Sequence, residues 1–138
     1  MKKIKCIDLF CGAGGLTHGF QLEGIDVVAG IDLDPACRYP YEANNNAKFI
    51  QSDVANISSK DLLQLFGNEN ITVLAGCAPC QPFSTYAQRY ETNKNDGKWG
   101  LLYEFARLAK STSPDFITME NVPTVVKHSV FNDFVKTL

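Results

Sequence analysis

No apolar run in this sequence approaches the roughly 20 residues that a membrane-spanning helix needs. No basic segment followed by an apolar stretch opens it, so no secretory leader is expected either. An excess of positive charge is missing too: 13 lysines and arginines stand against 15 acidic residues, a net of −2. A chain that gripped a nucleic-acid backbone by itself is usually more basic, because phosphate neutralisation dominates that affinity. An odd count of five cysteines (Cys6, Cys11, Cys37, Cys77 and Cys80), where no secretory leader is expected, argues for reduced thiols rather than a disulfide framework. Internal repeats and low-complexity tracts are also absent. What remains is 138 residues, 45% hydrophobic and 20% charged, enough for one domain with a real core. The expectation is a soluble, intracellular globular protein, with packing or chemistry to account for its reduced thiols.

Short apolar runs alternate with stretches of helical spacing. The pattern predicts strands at residues 4–10, 26–31 (ending at Asp32), 49–51 (ending near Asp53), 71–75 (stopped by Gly76) and 116–119. It predicts helices at 16–23, 36–44, 60–66, 101–110 and 131–138, a glycine-rich turn at 11–15 and a long polar loop at 82–100. Such alternation means parallel pairing and a doubly wound, three-layer α/β sheet, here of about five strands. Sheets of this kind are often six or seven strands wide. The apolar face of the last helix (Val130, Phe131, Phe134, Val135, Leu138) is expected to want a partner, and the edge beyond the fifth strand to lie open or be covered by something outside this chain. The sequence reads as cut short.

Ligands of doubly wound sheets sit beyond the carboxyl ends of the strands. Gly12, Gly14 and Gly15 follow the first strand there and allow backbone to approach a nucleoside. Asp32 ends the second strand, where a carboxylate commonly accepts ribose hydroxyls. Asp53 ends the third, within reach of an adenine amino group. A tight turn with solvated acids is the plainer alternative. The dinucleotide fingerprint read from Gly12 needs glycine at position 17, where Thr17 stands, so a phosphate-free adenosine cofactor, S-adenosylmethionine, fits better than a dinucleotide.

The segment Gly76-Cys77-Ala78-Pro79-Cys80-Gln81-Pro82-Phe83-Ser84 follows the fourth strand to the same edge. Prolines on both sides stiffen Cys80, and a thiol held at a strand end is well placed as a nucleophile. Three other readings apply to Cys77 and Cys80. A zinc site lacks a second Cys pair and has only His18 and His128 to draw on. A thioredoxin-type redox pair belongs after the first strand of its fold. The third is a buried pair of small apolar cysteines.

These motifs together resemble the cytosine-5 DNA methyltransferases. Asp8-Leu9-Phe10-Cys11-Gly12-Ala13-Gly14-Gly15 is similar to the family's first motif, Pro79-Cys80-Gln81-Pro82-Phe83-Ser84 to its catalytic motif, and Glu120-Asn121-Val122 to its ENV motif. Asp32 and Asp53 occupy the places of the second and third motifs. The matches run in the family's order along nearly the whole chain. The resemblance implies methyl transfer from S-adenosylmethionine, with S-adenosylhomocysteine as product, to carbon 5 of cytosine in double-stranded DNA. It implies Cys80 as the nucleophile that adds to carbon 6, and Glu120, protonated or sharing a proton, as the group that serves ring nitrogen 3. Asn121 is expected to orient Glu120 or the loop backbone. The cofactor contacts implied are Phe10, Gly12, Gly14, Asp32, Leu33, Asp53 and Pro79, and no metal is implied. Cytosine in a duplex hides carbon 6, so the base must be flipped out. Gln81, Ser84 and Arg89 then belong to a mobile substrate loop that closes over DNA, with a solvated connecting loop as its plainer alternative. No residue stands out as the base that removes the carbon 5 proton.

The family's later elements, its arginine-rich segment and target-recognition domain, have no counterpart here. Residues 1–138 are therefore expected to form a partial catalytic and cofactor-binding domain, with little turnover alone. The chain would be a fragment, a truncated pseudo-enzyme, or a subunit of a split enzyme that works with a complementary chain. Bacterial cytoplasmic restriction-modification is the setting implied. The same chemistry on RNA, a non-catalytic binding module and a thioredoxin-like oxidoreductase are the competing functions.

Overall fold

The computed structural model describes residues 3–68, 71–79 and 100–138. Five strands, β1 (Ile4–Leu9), β2 (Asp26–Asp32), β3 (Lys48–Gln51), β4 (Ile71–Gly76) and β5 (Phe116–Met119), form one sheet in the order β3-β2-β1-β4-β5. Every pairing is parallel. Among the described residues, five helices alternate with them: α1 (Gly15–Leu22), α2 (Arg38–Asn44), α3 (Ser59–Phe66), α4 (Gly100–Thr112) and α5 (Ser129–Thr137). The doubly wound α/β class read from the sequence is the class observed. Among the described residues stand three short 3₁₀ turns that the periodicity does not announce, Pro35–Cys37, Val54–Asn56 and Pro123–Lys127. The first two are built by a side chain at their entrance, Asp34 accepting from the Ala36 amide and Asp53 from that of Ala55.

Alternation along β1 divides the core between the two faces of the sheet. Ile7 and Leu9 point to one side, where Leu62 and Phe66 of α3 and Leu102, Phe105 and Leu108 of α4 cover them. Cys6 points to the other, with Val27, Val73 and Ala75 under Leu16 and Phe20 of α1. Tyr41 of α2 packs on Phe49, their ring centroids 5.6 Å apart, beside Cys11. Burial, with nearby Asp8 adding to it, pushes the Cys6 thiol up to about 12, and it pushes that of Cys11 up as well. Both are neutral packing groups.

The last helix has its partner inside the chain, which corrects the expectation that its apolar face wants one. Val130 and Phe134 are buried, and the Phe134 ring meets Phe105 of α4 at 5.4 Å. Val135 and Leu138 stay exposed. What lies open is one face of β5, where Phe116 is 63% exposed.

One carboxylate sits inside this core. Asp8, fully buried on β1, accepts from Thr17 Oγ1 at 2.7 Å, and that hydroxyl lies 3.1 Å from the Tyr41 hydroxyl. Asp8 Oδ1 has no hydrogen-bond partner among the described residues. Burial, partly offset by the Thr17 bonds and reinforced by Asp32, raises its pKa from 3.8 to about 6. The folded state therefore holds this proton more tightly than the unfolded chain does. The stability from Asp8 is complete below about pH 4 and is lost as pH rises to about 6, a loss on the order of 2–3 kcal/mol. Urea titrations across that window should show this fall in the chain and not in an Asp8→Asn variant, whose amide still accepts from Thr17. Identical pH slopes would reject the assignment.

Candidate active site

Because all five strands run in parallel, their carboxyl ends share one edge, and β1 and β4 flank the point where the winding reverses. Hydrogen bonds continue the sheet past the strand ends. The Ser52 amide donates to the Asp32 carbonyl at 3.0 Å, Cys11 to Ile31 at 3.1 Å, Cys77 to Leu9 at 3.2 Å and Glu120 to Gly76 at 3.0 Å. The residues after the strands thus stand side by side, in the order Asp53, Asp32, glycine loop, Cys77–Pro79 and Glu120–Asn121.

On the β1–β3 side the loop is held by a carboxylate. Asp32 Oδ2 accepts the Gly12 amide and Oδ1 the Asp34 amide, each at 2.9 Å. Phe10, half-buried against the core, turns the chain at φ 57, a left-handed conformation that an aromatic residue adopts only where its surroundings impose it. Gly12 and Gly14 take φ 52 and 93. A Cβ on Gly12 would meet nothing within 4 Å, whereas one on Gly14 would lie 2.3 Å from Asn45 Nδ2 and 2.8 Å from the Tyr41 ring. Gly14 thus has a packing reason of its own, letting α2 close under the loop. Asp53 Oδ1 accepts the Ala55 amide at 2.9 Å and its Oδ2 carries no hydrogen bond among the described residues. Leu33, 64% exposed, stands between these two carboxylates in sequence.

This half fits an adenosine-bearing ligand better than a phosphate. Two carboxylates offer acceptors for hydroxyl and amino groups, and no lysine or arginine occurs between Lys5 and Arg38 to neutralise a pyrophosphate. Thr17, where a dinucleotide loop needs glycine, is occupied in supporting Asp8 beneath the loop.

On the β4–β5 side, Glu120 is exposed and its Oε2 accepts from Cys77 Sγ at 2.9 Å. Asn121 Nδ2 donates to the Ala78 carbonyl at 3.0 Å, and its Oδ1 accepts the Val122 amide at 2.9 Å. Both side-chain atoms of Asn121 thus bond main chain, one of them the stretch that follows β4. Pro79 is half-buried at the end of this stretch. Cys80, Gln81, Ser84 and Arg89 lie outside the described residues. The contact of Cys77 with Glu120 escaped the sequence reading, which treated Cys77 only as one half of a pair with Cys80. The buried contact of Asp8 with Thr17 and Tyr41 escaped it too, although an acid inside the apolar run of β1 was a visible signal. Among the described residues no three His, Cys, Asp or Glu side chains gather as metal ligands, and no helix is long and apolar enough to cross a membrane.

Residues 4–138 match the family described as C-5 cytosine-specific DNA methylase. The Type II methylase M.HgiDII of Herpetosiphon aurantiacus is 49% identical over 135 residues, covering 96% of this chain and 37% of its own length. The Type II methyltransferase M1.HphI of Haemophilus parahaemolyticus is 34% identical over 124 residues, with 89% and 33% covered. The chain therefore spans about a third of the length of these relatives. Among solved structures, a prophage-encoded E. coli protein described as a DNA modification methyltransferase superposes with a TM-score of 0.78 at 25% identity, over 99% of this chain and 38% of its own. The S. pombe Dnmt2 methyltransferase, 19% identical, shares the fold with a TM-score of 0.77 over 98% of this chain and 41% of its own.

Proposed function

Since the chain belongs to the C-5 cytosine-specific DNA methylase family, we propose that it carries the cofactor-binding and nucleophile-bearing part of a DNA (cytosine-5-)-methyltransferase of bacterial restriction-modification, acting in the cytoplasm on double-stranded DNA. The observation that carries the reading is the order of groups along one sheet edge. Acceptors suited to adenosine stand on the β1–β3 side, and the segment leading into Cys80 lies beside Glu120 on the other. The share of its relatives that the chain spans supports a further reading, that sequence-specific turnover draws on additional sequence or on a complementary chain.

In this mechanism Asp32 would hold the ribose by accepting hydrogen bonds from its hydroxyls, and Asp53 Oδ2 would accept one from the adenine amino group. Phe10, Leu33 and Pro79 supply apolar contact, and Gly12 and Gly14 shape the loop that carries them. Gln81, Ser84 and Arg89 hold the substrate strand and the flipped base. The Cys80 thiolate adds to carbon 6 of cytosine, and Glu120 holds a proton at ring nitrogen 3 as charge builds on the ring. S-adenosylmethionine, when bound, supplies the electrophilic sulfonium methyl that carbon 5 captures. With S-adenosylhomocysteine as the leaving group, transfer of the carbon 5 proton to a water acting as base re-forms the carbon 5–carbon 6 double bond, expels Cys80 as its thiolate and returns the nitrogen 3 proton to Glu120.

A trapping assay tests this. A ring carrying fluorine at carbon 5 blocks the final elimination, so adduct accumulates even when turnover is negligible. Incubating the chain with S-adenosylmethionine and mixed-sequence duplexes containing 5-fluorocytosine should yield a protein–DNA adduct that peptide mapping places on Cys80. An adduct on Cys77, or none from a folded chain that binds S-adenosylhomocysteine, would reject the mechanism for this chain. An adduct with 5-fluorocytosine RNA alone would redirect it to RNA.

A further inference from the structure

Arg107, on α4, lies outside every motif singled out above, yet it makes the densest set of polar contacts of any described side chain near the cofactor half. Its Nη2 reaches the carbonyls of Val54, Ala55 and Ile57 at 3.3, 3.5 and 3.0 Å. Its Nε donates to Glu104 Oε2 at 2.5 Å, one turn back along the same helix. The three carbonyls belong to the short turn Val54–Asn56 and the residue that follows it. Gathered on one side, they are a cluster of partial negative charge that needs a cation or a donor. The turn starts at Asp53, whose Oδ1 is fixed by the Ala55 amide. The direction of the Asp53 carboxylate is thus set by the backbone that Arg107 gathers.

We infer that Arg107 is a positioning residue for cofactor specificity: it holds the turn Val54–Asn56 so that Asp53 Oδ2 faces the adenine amino group. The inference rests on the cofactor reading above and adds the residue that makes Asp53 selective. Removing the guanidinium leaves three converging carbonyls without their common donor, so the turn relaxes and takes Asp53 with it. Val54 and Ile57 remain buried in the main core and keep the neighbouring chain folded. The effect is therefore local.

The test compares two probes on the full chain by calorimetry: S-adenosylhomocysteine, and S-inosylhomocysteine, in which a carbonyl oxygen replaces the adenine amino group. A carboxylate accepting from that amino group favours the first by about tenfold or more. Asp53→Ala should erase the preference. Arg107→Ala should reduce it to within about threefold of the Asp53→Ala value while leaving S-inosylhomocysteine affinity nearly unchanged, and Arg107→Lys, which keeps a cation and donors, should recover part of it. Combining Asp53→Ala with Arg107→Ala should lower it no further. In the ligand-free chain, Arg107→Ala should also speed hydrogen exchange at the Ala55 and Ile57 amides and leave β1 and β2 protected. Wild-type selectivity in Arg107→Ala, with Asp53→Ala unselective, overturns the inference and spares the cofactor reading. A chain that binds neither probe, or in which Asp53→Ala changes nothing, overturns both.

Discussion

Glu120→Gln should slow adduct formation on 5-fluorocytosine duplexes by about a hundredfold or more, the scale of a lost proton transfer in a general-acid step. Addition of a thiolate to carbon 6 drives electrons towards ring nitrogen 3, and the step is uphill unless that nitrogen gains a proton. Glutamine keeps the shape and can donate a hydrogen bond, so the loss measures the proton itself. Position makes the prediction specific. The Glu120 amide is bonded to Gly76, the last residue of β4, and its carboxylate to the Cys77 thiol, three residues before Cys80. The carboxylates assigned to the cofactor stand across β1, at the ends of β2 and β3. Single-turnover adduct formation should therefore collapse while S-adenosylhomocysteine affinity stays within about twofold of wild type, less than 0.5 kcal/mol. Equal adduct rates in the two proteins would remove Glu120 from the mechanism.

Gly30→Ala should be severely destabilising. Gly30, buried on β2 between Asp8 and Phe49, faces the Tyr41 ring so closely that an added Cβ would lie 2.4 Å from its Cζ and hydroxyl and 2.5 Å from Cε2. The ring cannot move aside. It is fully buried, packs on Phe49 and has its hydroxyl at Thr17. Overpacking of this degree costs about 3 kcal/mol, and loss of the hydroxyl contact adds about 1 kcal/mol. In a chain of this length that lowers Tm by roughly 10 °C or more. Tyr41→Ala alone opens a cavity and is costly too. In the double variant the new methyl occupies part of that space, so the combined loss should fall well short of the sum. Strict additivity in denaturant titrations would show that the ring finds another place to go.

Much of the fold was legible because burial on both faces writes a parallel strand as a near-continuous apolar run, and each such run here is bounded by glycine, proline or acid. The turns Val54–Asn56 and Pro123–Lys127 left no such trace. The first is built by one aspartate bonding its own backbone two residues on, and the second opens at a proline, a residue that also begins helices and loops. The partner of the last helix was illegible for another reason. An apolar face announces that it will be covered, and α4 is chosen only when the chain has wound back over the sheet.

The sequence by itself determined the class of fold and the edge at which Gly12, Asp32, Asp53 and Glu120 stand. The first three follow from periodicity and from what a nucleoside asks of a strand end, and Glu120 from the resemblance of Glu120-Asn121-Val122 to a family motif; all of these signals are local in the chain. Only the tertiary structure decided how these groups are held. It set Asp32 under the Gly12 amide, the Cys77 thiol on Glu120, Asn121 on the Ala78 carbonyl and Arg107 on the turn after Asp53. It also gave Gly14 and Gly30 their reason, the Tyr41 ring pressed against both. Each of these contacts joins residues more than ten positions apart, and such pairs come within a hydrogen bond or a van der Waals radius only after parallel strands bring their ends to one edge.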